Sequence, residues 1–107
     1  MDFRDKRVVL TGAAGGIGTI LAAELAKRGA KLALVDANAE ALDKLAAKIE
    51  DAHSVSGDLS SAAGCQSVAG QCSELLGGID VLINLAGLNS FAAFEDESAD
   101  KIGLMMH

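Results

Sequence analysis

Four glycines, Gly12, Gly15, Gly16 and Gly18, fall within the stretch "GAAGGIG", between an apolar run at 8–10 and an alanine-rich segment reaching residue 28. Glycine weakens strands and helices alike, so such a cluster is expected where backbone must turn sharply or approach another group closely. A turn leading from a strand into a helix also gathers unpaired N–H groups at the positive end of a helix dipole, which is the chemistry of phosphate binding. Polar positions follow at intervals: Asp36, Asp58 and Asn84, the last in "NLAG" with Ala86 and Gly87. Singly, each has an ordinary explanation, since glycines occur in many strand-to-helix turns and Asp36 and Asp58 suit turns or helix caps. Jointly they have a chemistry only if the fold brings them to one edge.

The intervening segments predict such a fold. Residues 8–10 and 31–35 are short apolar runs, and the periodic segment 17–28 between them stops at Gly29, which reads as strand, helix, strand. Asn38 suits the N-cap of a second helix to about residue 49, with Ala41, Leu42, Leu45, Ala46 and Ile49 on one face. "HSVSGD" (53–58) reads as a third strand that Asp58 ends. Ser60 or Ser61 can cap a third helix through Leu76, weakened by Gly64 and Gly70 and ended by Gly77 and Gly78. "IDVLINLAG" (79–87) reads as a fourth strand buried on both faces, and "SADKIGLMMH" (98–107) as the start of a further helix. The alternation predicts an α/β fold, a Rossmann-type parallel sheet of order 3-2-1-4 with helices on both faces. All 107 residues then form one domain that stops after about four strands, incomplete on its C-terminal side.

In that topology the sheet reverses its winding between the first and fourth strands, and ligands bind at the carboxyl edge there. Gly12 would make the tight turn, Gly16 would let a phosphate close in, and Gly18 would let the first helix pack on the sheet. The common G-x-G-x-x-G spacing is absent. Asp36 lies where a carboxylate can accept hydrogen bonds from an adenosine ribose. Its charge would repel a 2'-phosphate, and neither Gly15 nor Ala37 offers an arginine to attract one, so NAD is expected over NADP. Asp58 could accept from an adenine amino group or cap a helix. Asn84 is expected to be buried and to bond backbone across the sheet, with Ala86 and Gly87 leaving room for a ligand.

Composition narrows the alternatives. Half of the residues are hydrophobic and 22% are charged, the mix of a soluble globular domain. A net charge of -6, from 9 Lys and Arg against 15 Asp and Glu, argues against nucleic acid or an anionic membrane as partner. There is no apolar run of the ~18 residues needed to span a bilayer, and "MDFRDKR" lacks a signal-like apolar segment, so a cytoplasmic location is expected. Cys65 and Cys72 would stand about 10 Å apart along a helix, too far for a disulfide, and are expected to be reduced, partly buried thiols with no metal role.

"TGAAGGIG" (11–18) resembles the Thr-Gly-x-x-x-Gly-x-Gly signature of the short-chain dehydrogenase/reductase family. The doubled glycine also fits the family's extended branch, but "NLAG" (84–87) matches the Asn-Asn-Ala-Gly motif of the shorter, classical branch apart from Leu85. The resemblance covers essentially the whole chain. It implies a pyrophosphate on the backbone of the Gly12–Gly18 loop (Gly12, Gly15, Gly16, Ile17 and Gly18), notably at Ile17, and the adenosine ribose on Asp36. It further implies adenine at Asp58 and Leu59, and the nicotinamide-side ribose near Asn84, Ala86 and Gly87. Family members move hydride between NAD(H) and an alcohol or ketone with a Ser, a Tyr and a Lys four residues after it. This sequence has no tyrosine, so no catalytic residue is assigned within it. These residues are expected to bind the dinucleotide without turnover, a small-molecule substrate entering only with the rest of the fold. A fourth strand with a free apolar edge predicts a homo-oligomer. A non-catalytic nucleotide-binding or interaction module, and less so a methyltransferase-like domain, remain the competing classes.

Overall fold

The computed structural model describes residues 2–86 and 104–106. The first unit is β1 (Arg7–Thr11), α1 (Gly16–Lys27) and β2 (Lys31–Asp36). Next come α2 (Ala39–Ala47), β3 (Ala52–Ser56), α3 (Ala62–Leu76), β4 (Val81–Asn84) and β5 (Leu104–Met106). Helix ends follow local chemistry. The Asn38 side chain accepts from the Ala41 N–H at the start of α2, and Ser61 accepts from the Gly64 N–H at the start of α3. Gly77, with φ 77°, takes the left-handed conformation that ends α3. The predicted boundaries of the three helices hold within about two residues, α1 beginning at Gly16 rather than 17 and α2 stopping at Ala47, whereas β4 is shorter than the predicted 79–87.

The sheet order is β3-β2-β1-β4-β5. The first four strands pair in parallel, with Thr11 opposite both Val35 and Asn84 and with Asp36 opposite Ser56. Alternate residues feed two cores. Val8, Leu10, Leu32 and Leu34 meet Ala22 and Leu25 of α1 and Leu42 and Leu45 of α2 on one face. Val9, Ala33, Val35 and Val55 meet Val68 and Cys72 of α3 on the other. Helices on both faces explain why β1 and β2 are continuous apolar runs, and each fully buried leucine contributes about 2 kcal/mol.

Two expectations change at β4. Val81 and Ile83 are buried but Leu82 is only half-buried, because fewer of the described residues cover the α3 face there. The edge of β4 is also not free. Leu104–Met106, predicted as helix, pairs with it antiparallel, Val81 opposite Met106 and Ile83 opposite Leu104. The unmet N–H and C=O groups of a strand edge favour an extended partner over a weak local helical pattern. The remainder of that predicted fourth helix lies outside the described residues.

The opposite end of the sheet is clasped by one ion pair. Arg7 Nε and Nη2 donate to Asp80 Oδ2 and Oδ1 at 2.9 and 2.8 Å, and Arg7 Nη1 donates to the Gly77 carbonyl at 2.7 Å. The backbones also pair, the Arg7 N–H with Asp80 Oδ2 and the Asp80 N–H with the Arg7 carbonyl. The bidentate fork locks β1 to the start of β4. Hydrogen bonds from Arg7, side chain first and backbone second, hold the Asp80 carboxyl well below the usual carboxylate range.

A depressed folded-state pKa means that this contribution is complete above the unfolded carboxylate value of about 4 and fades as the pH falls toward the folded value. Asp80→Asn is therefore expected to lower the melting temperature at pH 7, with the gap to wild type narrowing below about pH 4. A gap that stays constant on acidification would contradict the assignment.

Candidate functional site

Beyond Thr11 the chain must leave β1, pass the end of β4 and start α1, and it does so in four residues. Gly12 has φ 70°, where side-chain-bearing residues are strained. A Cβ there would also lie 2.9 Å from the Ala86 nitrogen and 3.0 Å from the Leu85 carbonyl carbon. The Gly15 N–H donates to the Gly12 carbonyl at 3.2 Å, closing the turn, and a Cβ on Gly18 would strike that carbonyl oxygen and the Ala13 backbone. Gly12 and Gly18 are thus required by close backbone contacts, Gly18 by those with Gly12 and Ala13 of the loop where packing of the first helix on the sheet was expected. Gly16 differs, because nothing lies within 4 Å of the Cβ it lacks.

The open space at Gly16 faces unspent donors. Gly15 caps α1 without a side-chain hydrogen bond, and the first helical bond runs from the Thr19 N–H to the Gly15 carbonyl at 2.9 Å. Among the described residues no group accepts from the N–H of Gly16, Ile17 or Gly18. These are the orphan donors of a helix N-terminus, carrying its partial positive charge. The Ile17 side chain is exposed, so its part is that of its backbone.

Asp36, half-buried at the end of β2, sits against this loop. Its Oδ2 accepts from the Ala14 N–H and its Oδ1 from the Asn38 N–H, each at 3.0 Å. A carboxylate has about four acceptor directions, so two remain for ligand hydroxyls. The Gly57 N–H donates to the Asp36 carbonyl at 3.3 Å, tying the next loop to the same edge. Asp58 does not end a strand, since β3 stops at Ser56; it is exposed in the loop beyond. Its Oδ1 accepts from the Ser60 hydroxyl at 2.5 Å and the Ser60 N–H at 2.8 Å, bonds that lower its pKa. Leu59 is half-buried beside it.

Asn84 departs from expectation. It is exposed, not buried, because the last residue of β4 projects past the packed part of the sheet. Its partner is a side chain: the Thr11 hydroxyl donates to Asn84 Oδ1 at 2.5 Å and accepts from the Ala86 N–H at 3.4 Å. Ala86 is half-buried, and Gly87 lies outside the described residues. Thr11 and Ala14 hold these groups in place with no role assigned to them from the sequence, and Ser60, read there as one of two possible caps of α3, grips Asp58 while Ser61 makes the cap. A buried threonine ending an apolar strand signals Thr11, whereas Ala14 acts through its backbone and leaves no such signal.

On the α3 face a cavity of about 460 Å³ runs between Val9, Val68 and Leu82 toward Thr11 and Asn84. Its walls are mostly apolar, none of the loop glycines lines it, and it shares Leu59, Asn84 and Ala86 with the predicted site. The cysteines diverge rather than sharing partial burial. Cys65 is exposed, its Sγ donating to the Leu59 carbonyl at 3.3 Å, while burial pushes the Cys72 thiol up to about 11. Among the described residues no group of three or more His, Cys, Asp or Glu side chains could hold a metal ion.

A family model described as short chain dehydrogenase matches residues 6–107. The D-threitol dehydrogenase of Mycolicibacterium smegmatis is 42% identical over 103 residues, covering 91% of this chain and 40% of that protein. A short chain dehydrogenase/reductase from Burkholderia phymatum, solved in complex with NAD, superposes with a TM-score of 0.72 at 30% identity. The match covers 77% of this chain and 31% of that one. The Pseudomonas aeruginosa RhlG/NADP complex gives 0.68 at 33% identity, over 77% and 35% of the two chains. The chain thus spans about two fifths or less of the length of these proteins.

The two kinds of glycine separate in a substitution experiment. Gly12→Ala is expected to cost at least about 2 kcal/mol in urea unfolding, from positive φ and the clash with the Ala86 backbone. Gly16→Ala is expected to change stability by less than about 1 kcal/mol. Equal costs at the two positions would remove the distinction between packed and open glycine.

Proposed function

We propose that this chain, which belongs to the short-chain dehydrogenase family, is the dinucleotide-binding portion of an oxidoreductase that moves hydride between NAD(H) and a small alcohol or ketone. The observation that carries the reading is the cradle at the start of α1: three amides with no acceptor among the described residues, beside the open space at Gly16, with the Asp36 carboxylate bonded to the same loop. A pyrophosphate fits such a cradle without any basic side chain. When bound, the nicotinamide supplies the carbon that takes or gives the hydride.

The residues of this chain hold and orient. The N–H groups of Gly16, Ile17 and Gly18 grip the diphosphate, while Gly12 and Gly15 shape the turn that aims them. Asp36 accepts from the adenosine ribose hydroxyls and repels a 2'-phosphate, which favours NAD over NADP. Asp58 and Leu59 border the adenine. Asn84, Ala86 and Gly87 border the nicotinamide-side ribose. The small-alcohol reading is supported by the match to a D-threitol dehydrogenase. The sequence supplies no tyrosine phenol for the proton transfer of this family, so these 107 residues by themselves bind the cofactor without turnover.

The proposal extends to one dinucleotide-binding domain acting in the cytosol. No helix among the described residues is long and apolar enough to cross a membrane. It also includes self-association, now through the outer edges of β3 and β5, where among the described residues the backbone groups have no neighbouring strand. Light scattering is expected to give a mass above that of one chain, and a monodisperse monomer would remove this element.

Asp36→Asn tests the cofactor choice, because the amide oxygen can still accept from the Ala14 N–H while the charge is gone. In calorimetric titrations the wild type is expected to bind NAD at least about tenfold more tightly than NADP, roughly 1.4 kcal/mol, and the variant to lose most of that margin. Equal affinities for the two dinucleotides in the wild type would overturn the specificity, and binding of neither would overturn the function.

A further inference from the structure

The loop that carries Asp58 is fastened to α3 far more tightly than an exposed connection requires. A Cβ on Gly64, in the first turn of α3, would collide with the Asp58 carbonyl oxygen, and one on Gly57 would collide with the Val68 side chain. The Ser61 hydroxyl accepts from the Gly64 N–H at 3.0 Å, and Cys65 Sγ donates to the Leu59 carbonyl at 3.3 Å. The backbone on either side of Asp58 is therefore set by contacts that tolerate no added carbon. Within this frame the carboxylate is turned by one neighbour. Both the hydroxyl and the N–H of Ser60 donate to the same oxygen, Oδ1, and among the described residues none donates to Oδ2.

We propose that Ser60 is a positioning residue for base recognition: by gripping Asp58 Oδ1 from two sides it keeps Oδ2 free and oriented for an exocyclic amine of the nucleotide base. The inference rests on the proposed dinucleotide function and adds a determinant of which base is accepted. Asp58 is ionised at neutral pH, its pKa being lowered first by the Ser60 hydroxyl, and an ionised carboxylate only accepts hydrogen bonds. It takes the amine of adenine and meets the carbonyl oxygen of hypoxanthine lone pair to lone pair. Without the Ser60 hydroxyl the exposed carboxylate can rotate away or turn both oxygens to water, and the discrimination weakens.

Nicotinamide hypoxanthine dinucleotide, which replaces that amine with a carbonyl oxygen and carries a proton on the adjacent ring nitrogen, is the probe. With the 107-residue chain, ligand-observed NMR titrations are expected to show NAD binding about tenfold more tightly than the hypoxanthine analogue. Ser60→Ala should shrink the ratio to within about twofold, chiefly by weakening NAD, and Ser60→Thr, which restores a hydroxyl, should recover it. A merely structural Ser60 would lower the melting temperature of the alanine variant and leave the ratio unchanged, and that result overturns the proposal. Should the alanine variant not fold, Asp58→Asn supplies the second test: its amide can donate to hypoxanthine, so the ratio is expected to fall to about one or invert, and an unaltered ratio overturns the proposal. Failure of wild type to bind either dinucleotide defeats the function itself, whereas equal binding of both defeats only the role of Ser60.

Discussion

The close approach of the Gly12 turn to the backbone of Leu85 and Ala86 is the constraint on which the rest of this edge depends. It brings the exits of two adjacent parallel strands so near that neither a Cβ nor an ordinary φ is allowed between them. The buried Thr11 hydroxyl then bridges Asn84 and the Ala86 N–H, so the turn and the end of β4 form one unit. Because the chain spends only four residues between β1 and α1, the helix starts directly over the edge of the sheet, and among the described residues its first amides have no acceptor. Gly18 allows that start to sit against the Gly12 carbonyl. Each further element of the site inherits its position from this contact.

An acidic chain that holds a diphosphate must do so with local dipoles, and the geometry is consistent with that demand. The donors are backbone amides, whose orientation costs nothing at the moment of binding, and their field acts over a few ångströms while the net charge of -6 is screened beyond about 8 Å. Asp36 would oppose an anion if it pointed into the cradle. Instead it is held from the side by the Ala14 and Asn38 amides. The bond to Ala14 ties the carboxylate proposed for the ribose to the loop proposed for the diphosphate.

Much of this was legible in the amino-acid sequence because it is local. The runs at 8–10 and 31–35 are apolar on both faces and read directly as central strands, and Asn38, Ser61 and Gly77 announce helix ends through their own side chains or lack of one. Strand order followed from the alternation of elements and the handedness of crossovers. What escaped depends on tertiary register. Asn84 appears buried in a hydropathy reading, yet its exposure is decided by how far β4 extends past the packed sheet. Its partner Thr11 is identified only once the two strands are aligned. Leu104–Met106 carries a helical pattern that the β4 edge overrides, the ordinary fate of weak propensity facing unpaired backbone. Asp58 looked like a strand end and proved to be a loop residue, and that displacement is what lets Ser60 reach it.

Amide chemical shifts report on the cradle without requiring catalysis. On titration of the isotopically labelled chain with ADP-ribose, which carries the diphosphate and both riboses without nicotinamide, the amides of Gly16, Ile17 and Gly18 are expected to move most and to saturate together. If the ligand saturates while these three amides stay in place and others shift, the diphosphate is held elsewhere and the account is wrong.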